Sequence, residues 1–260
     1  MRKSLLMIAV LGAISASSTV FAEEAAPAAE TPAYTLTYNV GLYSSYQFRG
    51  LTQTGGRPAL QGGVDWTHSS GFFLGAWASN VSWLQDAKAY ERSSLEVDLY
   101  GGYRNTIPGT EIGYDLTLLQ YLYPGDRQPG FASANTLEGA VGLTYKWFGA
   151  KYWYIFTNGA YGLRDARGTD YIDLNANIPI METGITLNLH VGRQEFEYDP
   201  AGSDVASYND YKIGATKTWA NGVALGGYYT DTNAKKSFYT DASGQYLGSD
   251  RVTVFVSKTF

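Results

Sequence analysis

Residues 34–50 read Tyr34-Thr35-Leu36-Thr37-Tyr38-Asn39-Val40-Gly41-Leu42-Tyr43-Ser44-Ser45-Tyr46-Gln47-Phe48-Arg49-Gly50, and they alternate. Tyr34, Leu36, Tyr38, Val40, Leu42, Tyr46 and Phe48 share one face. Thr35, Thr37, Asn39, Ser45, Gln47 and Arg49 share the other. Successive side chains of a strand point to opposite faces, so the stretch predicts one long two-faced strand. A helix at 3.6 residues per turn would scatter both sets around its circumference. The run also exceeds the usual ~5–6 residues of a soluble strand.

The same period recurs along the chain. Leu60, Val64 and Trp66 oppose Gln61 and Asp65; Leu95, Val97, Leu99 and Tyr103 oppose Glu96, Asp98 and Arg104. Ile112, Tyr114, Leu116 and Leu118 oppose Glu111, Asp115 and Thr117. Leu137, Val141, Leu143 and Tyr145 oppose Glu138, Thr144 and Lys146. Ile172 and Leu174 oppose Asp173 and Asn175; Leu187, Leu189 and Val191 oppose Asn188 and His190. Tyr211 and Ile213 oppose Asp210 and Lys212; Val252, Val254 and Val256 oppose Arg251 and Thr253. Three further strands, 72–81, 151–157 and 223–230, carry apolar residues on both faces, and the pattern leaves their orientation open.

That makes about twelve strands, joined by connectors of alternating length. Short ones fall at 69–71, 105–110, 148–150, 179–183 and 219–222. Longer, more polar ones fall at 51–57, 82–92, 124–135, 158–168, 197–207 and 231–249. Pro58, Pro108, Pro124, Pro129, Pro179 and Pro200 all lie in connectors or at strand ends. Proline cannot donate to a sheet ladder, so this punctuation agrees with the periodicity independently.

Alternating strands suit a soluble sandwich or a membrane barrel. Strands of about ten residues cross a bilayer when tilted. Short turns alternating with long loops match the periplasmic and extracellular sides of an outer-membrane barrel. Tyr34, Trp66, Tyr103, Tyr145 and Trp147 stand at strand ends, where aromatic girdles form. The reading is an all-β, transmembrane, antiparallel up-and-down β-barrel of about twelve strands over residues 34–260. Phe260 continues the face of Val252, Val254 and Val256, and this ending resembles the outer-membrane assembly signal. The resemblance implies the barrel-assembly machinery as a partner for the last strand.

Ahead of the barrel, Arg2 and Lys3 precede a short apolar run from Leu5 to Ile14, and small residues lead to Ala22. That is the layout of a secretory signal cleaved after Ala22. The apolar run has about ten residues, whereas spanning a bilayer takes about 20. Residues 1–22 are therefore expected to be the signal and 23–33 a flexible periplasmic leader, with the barrel exported to the bacterial outer membrane.

The composition agrees. The chain has 260 residues, a net charge of −5, 17% charged and 15% aromatic residues, including 22 Tyr. Mean hydropathy is −0.20, which excludes a bundle of transmembrane helices. The acidic balance argues against a nucleic-acid partner. No Cys removes disulfides, thiolate zinc sites and cysteine catalysis, and two His leave little for a metal centre. No cofactor or metal is expected.

Several stretches together resemble the TorF-type family of Gram-negative outer-membrane porins. They are Ser44-Ser45-Tyr46-Gln47-Phe48-Arg49-Gly50, the run from Pro58 to Asp65, and the run from Ser70 to Val81. Glu96-Val97-Asp98-Leu99-Tyr100-Gly101-Gly102-Tyr103 and Tyr123-Pro124-Gly125 also fit. The resemblance implies passive transport and supplies no catalytic residues.

On this reading the polar faces line a lumen. Its acids are Asp65, Glu96, Asp98, Glu111, Asp115, Glu138, Asp173 and Asp210; its bases are Arg49, Arg104, Lys146, Lys212 and Arg251, with His190 beside them. Eight acids against five bases predict a narrow, weakly cation-preferring channel for small hydrophilic solutes or ions. Arg49, at the outer end of the first strand, either grips an anionic solute or pairs with a lumen carboxylate. An enzyme barrel hydrolysing lipids or esters is the alternative, with His68 and His190 as the available bases, but no Gly-x-Ser-x-Gly elbow occurs. A non-conducting structural or adhesin barrel is the third reading. Its loop 231–249 holds Lys235, Lys236, Phe238, Tyr239 and Tyr246, which could touch lipopolysaccharide or other outer-membrane lipids.

Overall fold

The computed structural model describes residues 32–197 and 204–260. The signal expected over 1–22 and most of the leader lie outside the described residues, as does Pro200. Twelve antiparallel strands close into a barrel. In chain order they are β1 (Tyr34–Tyr43), β2 (Ala59–His68), β3 (Phe72–Asn80), β4 (Leu95–Thr106), β5 (Ile112–Leu122) and β6 (Thr136–Tyr145). There follow β7 (Phe148–Ile155), β8 (Asp170–Pro179), β9 (Ile185–Glu195), β10 (Tyr208–Thr218), β11 (Val223–Thr232) and β12 (Arg251–Thr259). Each strand pairs with its sequence neighbours, and β1 pairs with β12, so no edge is left open. Phe260 adds to the seam: its N–H donates to the Tyr38 carbonyl at 2.8 Å.

Alternation sets the two faces. All twelve strands put a large apolar side chain outward, from Leu36 (46% exposed) and Leu60 (61%) through Leu118, Ile213 and Leu225 to Val254 (56%). The three ambiguous strands resolve as well. Phe73, Trp77 and Ser79 point inward while Phe72 and Leu74 point out. Lys151, Trp153 and Ile155 point inward while Tyr152 and Phe156 point out. Ala224 and Thr230 point inward while Leu225 and Tyr229 point out. Among the described residues, no helix is long and apolar enough to cross a membrane.

Two of the boundaries that differ from the sequence reading bear on the interior. The turn expected at 148–150 lies at Lys146-Trp147, and Phe148 already opens β7. Lys146 supplies the positive φ (54°) that so tight a turn needs. The first strand ends at Tyr43 and does not run on to Arg49. Ser44 still donates its N–H to the Val254 carbonyl, and its hydroxyl takes the Val254 N–H at 3.0 Å. With the ladder finished by a side chain, the backbone leaves the wall and bends into the barrel. Tyr46, expected on the outer face, is 4% exposed inside.

Burial inside the barrel is graded from end to end. Along β1 the inward Thr35 and Thr37 are exposed, Asn39 is half-buried, and Gly41 and Tyr43 are buried. Along β9 the inward Thr186, Asn188 and His190 are half-buried, and Gly192 and Gln194 are buried. The short-turn end is thus a solvated vestibule of Thr and Asn, and the long-loop end is filled.

Candidate functional site

The filling is the first loop, residues 44–58. Gln47–Phe48 and Leu51–Thr52 pair as a miniature hairpin around Arg49 and Gly50. Both turn residues have positive φ (45° and 77°), the geometry of the tightest hairpin turn, and Gly serves the second position. The hairpin tip reaches the far wall. A Cβ on Gly50 would lie 2.6 Å from the Asp210 Cβ on β10.

The Arg49 guanidinium is the tip's anchor. It donates to both oxygens of Glu138 on β6, at 3.0 and 2.7 Å, and to Oε1 of Gln194 on β9 at 2.8 Å. It also lies 4.2 Å from the centre of the Tyr171 ring. Glu138 further accepts the hydroxyls of Tyr161 (2.8 Å) and Tyr121 (3.2 Å), which satisfies a carboxylate only 1% exposed. Of the two roles open to Arg49, the geometry is that of the internal ion pair. Behind the tip, Tyr46 donates to Glu96 at 2.7 Å and packs edge-on against Trp77. Burial, reinforced by the neighbouring carboxylates, pushes the phenols of Tyr46 and Tyr161 well above their ordinary range. Both therefore remain O–H donors at neutral pH.

Lower in the barrel, side chains cross the wall over glycines. Asp115 on β5 and Lys151 on β7 flank Gly142 on β6 and pair at 2.6 Å. Tyr100 on β4 reaches over Gly75 to Asp65 on β2 at 2.6 Å. Asp173 on β8 and Asp210 on β10 flank Gly192 on β9. His190 contacts both, through Nδ1 at 3.3 Å and Nε2 at 2.8 Å, and Tyr171 donates to Asp210 at 3.0 Å. A Cβ would stand 2.1 Å from Asp115 Oδ1 at Gly142, 2.2 Å from the Tyr100 ring at Gly75 and 2.1 Å from Tyr171 Oη at Gly192. The absence of a side chain lets these groups lie close against the wall.

Of the sequence-predicted residues, Asp65, Glu96, Asp98, Asp115, Glu138, Asp173, His190, Asp210 and Lys212 lie on inward positions of the strands. Arg104 also points inward, 4.1 Å from the Phe73 ring centre, and Arg251 packs beside Gly56 of the first loop. Glu111 and Lys146 do not belong to this surface. Both are exposed turn residues, because β5 begins one residue after Glu111 and β6 ends one residue before Lys146. Lys151 joins the set, having been hidden in a strand with aromatic residues on both faces. Its charge is the signal that could have oriented that strand, since a mid-strand ammonium is costly on an apolar outer face. The inward count becomes seven acids and five bases. His68 stands apart at the short-turn end, hydrogen-bonded to Ser70 and stacked near Trp66. Among the described residues, no group of three His, Cys, Asp or Glu is placed to hold a metal ion.

A family model described as a bacterial protein of unknown function (Gcw_chp) matches residues 26–260. The chain belongs to this family. No curated protein matches it. The fold of this Gcw_chp member is similar to that of a structure described as the NanC porin, with a TM-score of 0.53 and 10% identity, covering 87% of this chain and 99% of that one. It is likewise similar to the KdgM porin, with a TM-score of 0.52 and 8% identity, covering 86% and 98%.

Proposed function

We propose that the chain is an outer-membrane channel of the TorF porin type, for passive diffusion of small hydrophilic solutes or ions. The observation that carries this reading is the continuous apolar belt, to which every strand contributes, around an interior lined with charged and polar groups. Soluble monomers rarely expose an apolar patch above a few hundred Å². Lipid is the solvent that suits such a surface, and closure spares it any unpaired backbone. Tyr34, Trp147 and Phe260 ring the short-turn end, which becomes the periplasmic side, and the long loops face lipopolysaccharide. Two neighbours in fold are themselves described as porins, which favours the same reading.

The lumen is narrow at the loop end, where the Arg49 hairpin crosses it, and open at the other. Seven acids against five bases favour cations weakly. Planar-bilayer recording on purified protein tests the proposal. Small conductance steps with a modest preference for K⁺ over Cl⁻ are expected. A silent bilayer rejects the channel, and an anion preference rejects the charge argument alone. A barrel closed at rest is the second reading, favoured by the buried aromatic packing around the hairpin. Removing the hairpin separates the two.

A further inference from the structure

A second concave surface lies outside the barrel interior. At the long-loop end, a cleft of about 480 Å³ opens between the loops that follow β3 and β5. The two loops are sewn together. Tyr90–Arg92 pairs with Asp126–Arg127, and the Gln128 N–H donates to the Ala89 carbonyl at 3.0 Å. One side is braced by Arg164, which donates to the Gly130 carbonyl, and by the Phe131 N–H, which donates to the Gln128 carbonyl at 3.3 Å. The other side is tied to the first loop: the Ser82 N–H donates to the Gln53 carbonyl at 2.8 Å, and Arg57 pairs with Asp86. A cleft between braced loops is preformed, and its volume falls within the usual ~300–1,000 Å³ of small-molecule sites.

Its lining is chemically mixed. Tyr90, 5% exposed, is the most buried member, and its hydroxyl is fixed by the Ala134 N–H at 3.0 Å. Phe131 stands 45% exposed, and a phenyl ring left in water gains by being covered. Lys88, Glu91 and Gln128 also line the cleft, and Gln85 holds the Glu91 carbonyl at 3.2 Å. Among the described residues, the side chains of Lys88, Glu91 and Gln128 have no hydrogen-bond or ion-pair partner. Lys88 and Glu91 are exposed and do not pair with each other. One unpaired charge of each sign beside an exposed ring is the complement of a ligand with a carboxylate, an ammonium and an apolar body. A neutral saccharide would match the ring and the amides and leave both charges unused.

We propose that this cleft binds a short zwitterionic peptide, such as an apolar dipeptide. Lys88 takes the terminal carboxylate, Glu91 takes the terminal ammonium, and Phe131 covers an apolar side chain. Gln128 is free for the peptide amide. Both charged groups stand in solvent, so each contributes about fivefold in affinity at most. The site goes beyond the channel reading and does not depend on it.

Calorimetric titration of the detergent-solubilised full chain tests it. The probes are the dipeptide alanyl-phenylalanine, its N-acetylated form, its C-terminal amide, and maltose. The wild type is expected to bind the free dipeptide saturably and each blocked form about fivefold more weakly. Glu91→Gln is expected to weaken the free dipeptide about fivefold and leave the acetylated form unchanged. Lys88→Gln is expected to do the same for the free dipeptide and leave the amide unchanged. Phe131→Ala weakens all three, and Arg167→Gln, an exposed loop change outside the cleft, weakens none. The blocked peptides test the wild type itself, so the outcome does not hang on a variant that fails to fold. No saturable binding by the wild type, or equal affinity for the free and blocked peptides, overturns the site. Binding of maltose without the dipeptide overturns the peptide assignment in favour of a saccharide. Dipeptide binding by a protein that is silent in bilayers supports the site and rejects only the channel.

Discussion

Arg49 and Glu138, 89 positions apart in sequence, are joined by two parallel hydrogen bonds of 3.0 and 2.7 Å that pin the first loop across the barrel. Both side chains are nearly free of solvent (6% and 1% exposed), so the pair is a buried one. Breaking such a pair by removing one partner typically costs ~3–5 kcal/mol, because the other charge is left uncompensated. Glu138→Gln is therefore expected to release the hairpin, lower the urea midpoint and raise the single-channel conductance. The double variant Arg49→Met/Glu138→Leu, which removes both charges, is expected to recover most of the stability. A double variant no better than Glu138→Gln would show that the hydrogen bonds to Tyr121, Tyr161 and Gln194 matter more than the ion pair.

The hairpin tip crosses the barrel interior at the loop end, reaching Glu138 and Asp210. Replacing residues 47–52 by a short Gly-Ser turn removes Arg49 and the two small strands while leaving β1 intact. The expected result is a several-fold larger conductance with the strand content unchanged by circular dichroism. Unchanged conductance in a folded variant would place the narrowest point elsewhere.

Gly192 separates Asp173 and Asp210 across three strands, and the side of its Cα where a side chain would stand faces the Tyr171 hydroxyl. Gly192→Ala would set a methyl 2.1 Å from that hydroxyl and 2.5 Å from Asp210 Oδ2. Overpacking of this kind costs ~1–3 kcal/mol. Gly227→Ala, where the nearest atom is a carbonyl oxygen at 3.4 Å, is the control and is expected to be close to neutral. Urea denaturation of the two variants compares them directly.

Tyr161, in the loop between β7 and β8, donates to Glu138 and so braces the same carboxylate. Burial, and secondarily Glu138, raise its folded pKa well above the ordinary 10.0, against the opposing pull of Arg49. A raised folded value means the native state binds more protons, so this contribution is complete below pH ~10 and declines as pH rises beyond it. The wild-type urea midpoint is expected to fall more steeply above pH ~10 than that of Tyr161→Phe, with the two curves parallel from pH 6 to 9. Parallel curves throughout would remove Tyr161 from the brace.

Much of the barrel was legible from local pattern. Nine strands announced their faces because a side chain's direction in a strand depends only on its parity, and an apolar outer wall demands the same parity throughout. The strands at 72–81 and 151–157 did not, because their inward faces carry Phe73, Trp77 and Trp153, which cluster with Tyr46 of the first loop, and Ile155, which packs with Ala160 and Ala166; in 223–230 the inward Tyr228 packs near Phe255. An aromatic on the inner face is uninformative until one knows that something apolar fills the barrel there. Glu111 and Lys146 were misplaced for a smaller reason: parity continues past a strand's end, whereas the strand does not.

Sequence alone thus determined the strand number, the two faces, and the ends at which turns and loops gather, since each follows from neighbours within a few residues. Only the tertiary structure decided that β1 stops at Tyr43, that Ser44 turns the chain inward, that Arg49 finds Glu138, and that Asp98 Oδ1 is buried without a donor among the described residues. Those outcomes depend on which distant strands closure brings into register around one shared interior, and no local period encodes them.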